Sequence, residues 1–167
     1  MRAGAAFSLL LLLAGGCAVQ PLSDVAPVER SADPSLADAA VPPSAREMVL
    51  HALALIGVPY RYGGSNPETG LDCSGLVRHV VAKVVGLKLP GDAKRISELG
   101  APIEPGEMQP GDLVFFNTLR RPYSHVGIYL GNQRFIHAPS TGGVVEVVSM
   151  NQRYWQQRYN GARRLPI

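Results

Sequence analysis

A thiol and two histidines are the side chains of this sequence best suited to covalent chemistry. A thiol attacks a carbonyl carbon as a thiolate. It therefore needs a base within hydrogen-bond reach, and that base needs a third group to hold its tautomer and orientation. Cys73 stands directly before Leu76, Val77, Val80 and Val84, which recur at helical spacing, so it opens a predicted helix. At a helix N-terminus the backbone N–H groups and the dipole favour negative charge and lower a thiol pKa. The same position also fits an inert Cys packed beside Leu76 and Val80. Four histidines are available. His51 and His79 lie within predicted helices and read as structural or solvated. His125 opens one predicted strand and His137 lies on the next. A three-residue loop, Gly131 to Gln133, would set Gly127 opposite His137 and make His125 and His137 diagonal neighbours on one face. An even loop would put them on opposite faces.

Around these residues the chain supplies helices first and strands later. Ser44-Ala45-Arg46-Glu47 has the form of a capping box, and Val49, Leu53 and Ile56 follow at helical spacing until Gly57 and Pro59. Tyr60 to Asp72 is predicted as a loop. The helix beginning at Cys73 ends at Gly86, and a short helix is expected within Asp92 to Leu99. Leu113 to Phe116 is a short apolar run. Val126, Ile128 and Leu130 then alternate with His125, Gly127 and Tyr129, the period of a half-buried strand. Gly131-Asn132 turns the chain, Phe135 to Ala138 returns, Val144 to Val148 adds a strand, and Arg158 to Arg164 adds a last one. Helices followed by an antiparallel sheet predict an α+β fold.

Composition limits the partners. The formal charge of +3 over 167 residues, with no dense basic run, argues against nucleic acid. The 18 glycines and 14 prolines point to many turns. The first residues read as a targeting segment: Arg2, then an apolar run from Ala3 to Ala14, too short to span a bilayer comfortably. Ala14-Gly15-Gly16-Cys17 is similar to the bacterial lipoprotein box, with Leu13 one place further from the Cys than in its commonest form. That similarity implies that residues 1–17 are a signal peptide ending in a lipidated Cys17. Residues 18–43, with Pro21, Pro27, Pro34, Pro42 and Pro43 among Ala, Ser and Asp, read as a disordered tether. Its reach is about 30 Å as a coil and about 80 Å as extended polyproline. The folded domain is expected over 44–167. With Cys17 acylated, Cys73 has no partner in the chain, and a lone thiol in an exported protein is a candidate reactive group.

Four motifs then stand in order: Pro59-Tyr60-Arg61-Tyr62-Gly63-Gly64, Leu71-Asp72-Cys73-Ser74-Gly75-Leu76-Val77, Ser124-His125-Val126-Gly127-Ile128-Tyr129-Leu130 and Phe135-Ile136-His137-Ala138. Between the second and third lies Gln109-Pro110-Gly111-Asp112-Leu113-Val114-Phe115-Phe116. Together they resemble the NlpC family of bacterial cell-wall peptidases over most of residues 45–165. The resemblance implies a papain-like α+β fold, with Cys73 as nucleophile, His125 as base and His137 as the group that orients His125. It implies Tyr62 as an oxyanion donor beside the Cys73 backbone N–H, and Asp72 and Ser74 as contacts for the substrate's amino group. It also implies hydrolysis of peptide bonds in peptidoglycan stems or cross-links, without a metal or other cofactor, by a protein expected to be monomeric. Ala18, rather than Asp, follows Cys17; in a host with two membranes this implies the outer membrane, with the domain facing the periplasmic wall.

Three alternatives stay open on the sequence. An amidase or acyltransferase could use the same Cys-His machinery. Cys with two His could hold zinc, although His125 and His137 are not a close ligand pair. A non-catalytic wall-binding lipoprotein is the third.

Overall fold

The computed structural model describes residues 41–167. The expected signal peptide, the lipidated Cys17 and nearly all of the tether lie outside them. Helix α1 spans Pro43–Leu53. A small hairpin, β1 (Ser65–Asn66) and β2 (Gly70–Leu71), precedes α2 (Cys73–Val85) and the single turn α3 (Ala93–Ile96). Then come β3 (Ala101–Ile103), a 3₁₀ turn at Pro105–Glu107, β4 (Leu113–Phe116), β5 (His125–Gly131), β6 (Arg134–His137), β7 (Glu146–Ser149), the short α4 (Arg153–Gln156) and β8 (Tyr159–Arg164). The main sheet runs β3-β8-β4-β5-β6-β7, antiparallel throughout. Helices precede an antiparallel sheet, as the hydrophobic periods predict.

The expected capping box at Ser44 does not form. Helix α1 starts two residues earlier, with Pro43 as its first residue, Pro42 rather than Ser44 at the N-cap, and no side-chain cap bond. Proline needs no N–H partner there and its fixed φ suits the helix start, so it displaces serine from that role. Helix α2 begins and ends where the sequence places it. Asp72 is its N-cap, and Gly86, at φ 69°, ends it in the left-handed conformation that glycine adopts without a Cβ clash.

The core is built on both faces of the sheet. On one face Met48 and Ala52 of α1 and Leu76, Val77, Val80 and Val81 of α2 pack against Leu113, Phe115, Val126, Ile128 and Ile136. On the other, Val114, Phe116, Tyr129 and Phe135 meet Trp155 of α4. Strand β5 is therefore buried on both faces from His125 to Tyr129, rather than half-buried as its alternation predicts. The element responsible, α4, is a single turn too short to register as a periodic pattern.

At the end of β4 opposite the one that pairs with His125, Asp112 is 3% exposed and accepts two 2.8 Å bonds from the Nε and Nη2 of Arg164. The Gln109 N–H donates a third bond, at 2.7 Å. This pair ties the entry to β4 to the end of β8. Arg164→Ala would leave a buried carboxylate with one backbone donor, a change that costs about 3 kcal/mol. We expect that loss in urea unfolding, with activity preserved under conditions where the variant stays folded.

Candidate active site

The site starts from the local structure around Asp72. With extended backbone (φ −93°, ψ 177°), Asp72 accepts the Gly75 N–H at 2.6 Å on Oδ1, and Gly63 donates its N–H to Oδ2 at 2.9 Å. The Ser74 hydroxyl lies 2.8 Å from Asp72 Oδ1 and 3.1 Å from the Gly91 carbonyl oxygen. Ser74 is itself 5% exposed. Both residues expected to meet a substrate amine are thus engaged within the protein, Ser74 facing inward. Gly75 lets the loop close over the helix start: a Cβ there would collide with the Gly64 carbonyl oxygen. The result is a rigid entry to α2 with Cys73 in its first turn.

Cys73 is a free, half-buried thiol. Burial pushes its pKa up to about 11. The Val126 N–H opposes this, the Asp72 charge adds to it, and the N–H groups of Ser74 and of Cys73 itself lower it. The expected helix-start effect is therefore present but outweighed by desolvation, and the resting thiol is neutral. The Val126 contact also locates the thiol, because Val126 follows His125 in β5.

His125 and His137 meet on one face, Nε2 of the first 2.8 Å from Nδ1 of the second. The register that delivers this differs in detail from the expected three-residue loop. Asn132 and Gln133, at φ 51° and 55°, form a two-residue turn between Gly131 and Arg134. That turn alone would separate the histidines. The register shifts between Tyr129 and Gly131, so that Tyr129 faces Phe135 and Ile128 faces Ile136. The extra residue, Leu130, is a bulge that restores the shared face.

Both imidazoles are buried, at 4% and 1% exposure. Trp155 stacks on His125 at 5.6 Å and presents its edge to His137 at 5.0 Å. Burial lowers the His125 pKa to about 4, with Asp72 opposing the shift. Burial, then the neighbouring His125, lowers that of His137 to about 3. Because these values lie below the ordinary 6.5, the unfolded chain takes up protons first as pH falls. The stability they confer is complete above about pH 6.5 and is lost as pH drops toward 4 and 3. By pH 5 each histidine should have cost on the order of 1–2 kcal/mol. We expect the melting temperature to fall between pH 7 and pH 5, and to fall less in a His137→Asn variant.

Tyr62 is 88% exposed. It borders a cavity of about 700 Å³ together with Asp92, Lys94, Arg121, Tyr123 and Ser124. Tyr60, not singled out from the sequence, stands closer in. Its pKa is raised by burial first, then by Cys73, Asp72 and Tyr62. Trp155 was also missed, since a lone Trp between two predicted strands carries no spacing signal. His51 and His79 lie on α1 and α2. Among the described residues, no group of three or more His, Cys, Asp or Glu side chains is placed to hold a metal ion.

Comparison with known proteins agrees with this arrangement. Residues 57–164 match the NlpC/P60 family model. Murein DD-endopeptidase MepH of Escherichia coli K12 is 44% identical over 144 residues, covering 83% of this chain and 53% of that protein. Gamma-DL-glutamyl hydrolase of Bacillus subtilis 168 is 41% identical over 135 residues, covering 80% and 31%. The chain thus spans about half the length, or less, of these relatives. Among solved structures, the NlpC/P60 domain of the peptidoglycan hydrolase SagA superposes with a TM-score of 0.64 at 34% identity, covering 72% of this chain and 98% of that one. A Bacillus cereus NlpC/P60 protein gives 0.68 at 30%, covering 73% and 40%. With its Cys-bearing helix packed on a sheet that joins two histidines, and with this match across most of its length, the chain belongs to the NlpC/P60 family.

Proposed function

We propose that this protein is a cysteine endopeptidase that cleaves peptide bonds in peptidoglycan stem peptides or cross-links. The observation that carries the reading is the placement of the Cys73 thiol against the Val126 N–H, with His125 next in the chain and bonded to His137. The names of the relatives, murein DD-endopeptidase among them, favour a wall peptide over the substrates of an amidase or acyltransferase.

Since thiol and imidazole both rest neutral, proton transfer accompanies attack. His125 takes the Cys73 proton as sulfur bonds to the scissile carbonyl carbon, and the carbonyl electron pair moves onto oxygen. The Cys73 N–H and the Tyr62 hydroxyl are the proposed oxyanion donors; one such donor contributes about 3 kcal/mol. The oxyanion collapses, the C–N bond breaks, and His125 returns its proton to the leaving amine. Water, deprotonated by His125, then cleaves the thioester and restores the thiol. His137 holds His125 through the 2.8 Å bond and transfers no proton to the substrate. Asp72 caps the helix that carries the thiol, and a substrate amine would reach Asp72 and Ser74 only by sharing groups that already bond within the protein. All three Cys and His groups come from one chain, so a monomer suffices.

Digestion of purified peptidoglycan, followed by mass spectrometry of the products, tests the proposal and assigns the bond. Release of new amino and carboxyl termini within stem peptides supports it. An intact polymer under conditions where the folded protein binds the wall would favour a non-catalytic wall-binding protein.

The anchor belongs to the same proposal. On this reading Cys17 carries the acyl chains and, in a host with two membranes, residues 18–43 let the domain reach the wall from the outer membrane. Several chains hold a lipoprotein stably where one would not. Cys17→Ala is expected to move the protein from the membrane fraction to the soluble one or block its maturation, as fractionation and intact mass would show.

A further inference from the structure

A buried imidazole has two nitrogens, and both need partners or must accept the cost of going without. For His137, Nδ1 meets His125. Its Nε2 is buried and makes no hydrogen bond among the described residues. The nearest carboxylate oxygen is Oε1 of Glu146, 3.8 Å away, on a side chain 51% exposed. Register explains the approach, since β6 and β7 set His137 opposite Glu146 on the same face.

We propose that Glu146 is a positioning residue that selects the tautomer of the histidine pair. This rests on the peptidase reading above. A neutral His137 carries one proton. With that proton on Nε2, directed at Glu146, its Nδ1 must accept. The bond to His125 then takes its proton from Nε2 of His125, which leaves Nδ1 of His125 unprotonated and basic. The opposite choice protonates Nδ1 of His137, makes Nε2 of His125 the acceptor, and leaves the proton of His125 on Nδ1, where it cannot act as base. A carboxylate facing Nε2 of His137 favours the first arrangement, and rotation of a half-exposed glutamate suffices to close 3.8 Å to bonding distance. Among the described residues, the other side chains around the pair supply no such acceptor. Asp72 faces from the start of α2, where Gly63, Gly75 and Ser74 occupy its oxygens. Phe116 of β4, Phe135 of β6 and Trp155 of α4 present rings.

The test uses soluble muropeptides with Glu146→Ala and Glu146→Gln, each also in the His137→Asn background. Glu146→Ala is expected to lower kcat about 10-fold with KM within about twofold. Glu146→Gln, which keeps an acceptor without the charge, is expected to recover most of that loss. Its acidic limb should move to lower pH, because the carboxylate no longer supports the imidazolium. In the His137→Asn background the Glu146→Ala loss should disappear, since the residue acts through His137. A wild-type kcat in Glu146→Ala, or an equal loss with and without His137, would overturn the assignment. Ring ¹⁵N shifts of His137 in the Cys73→Ala protein test it independently of any activity. Protonation at Nε2 that becomes mixed on Glu146→Ala supports the role, and an unchanged tautomer removes it. If wild-type protein cleaves no muropeptide, the peptidase reading fails while the tautomer experiment still judges Glu146.

Discussion

Cys73→Ala is expected to abolish cleavage of peptidoglycan, lowering the rate by about 10⁴-fold or more, and to leave the fold intact. The physical reason for the asymmetry is local. The change removes one half-buried sulfur at the start of α2, while the helix entry is held by Asp72, Gly63 and Gly75 through backbone bonds that do not involve the thiol. Stability should fall by no more than about 1 kcal/mol. Cys73→Ser should be nearly as inactive. A hydroxyl is a weaker acid than the thiol it replaces, and a buried base whose pKa is about 4 is poorly placed to remove its proton. Product analysis and a thermal melt on the same preparation check both halves. Full activity in Cys73→Ala would sink the mechanism.

The histidines should separate by role. His125→Ala removes the group that takes and returns the proton in both half-reactions, and a loss of about 10³-fold or more is expected. His137→Asn should retain partial activity, about 10- to 100-fold below wild type. An asparagine can still offer a hydrogen-bonding group toward His125, and Trp155 continues to stack on the His125 ring. Turnover measured at saturating muropeptide would show the difference in kcat. Equal and complete losses at both positions would contradict the division into base and orienting group.

Much of the scaffold was legible before any coordinates. The 3.6-residue recurrence from Cys73 to Val84 and the alternation from His125 to Leu130 depend on which face a side chain must bury, and the Gly86 stop depends on a left-handed turn that glycine adopts freely. Such patterns survive in one dimension. The capping box failed because two rules competed at the same helix start and Pro43 met the first more cheaply than Ser44 met the second. The burial of both faces of β5 was not legible, because Trp155 approaches from a single turn distant in sequence.

The sequence by itself determined which residues could react and which helix and strands carry them, since those depend on residue type and short-range period. It also showed that the pairing of His125 with His137 hangs on the parity of one loop. Only the tertiary structure decided that parity, through a two-residue turn and the Leu130 bulge. It decided, too, the protonation of the site. The helix start favours a thiolate, but burial pushes the Cys73 pKa up, and burial beside Trp155 pushes those of both imidazoles down. Desolvation is a sum over everything that surrounds a group, and no local stretch of sequence contains that sum.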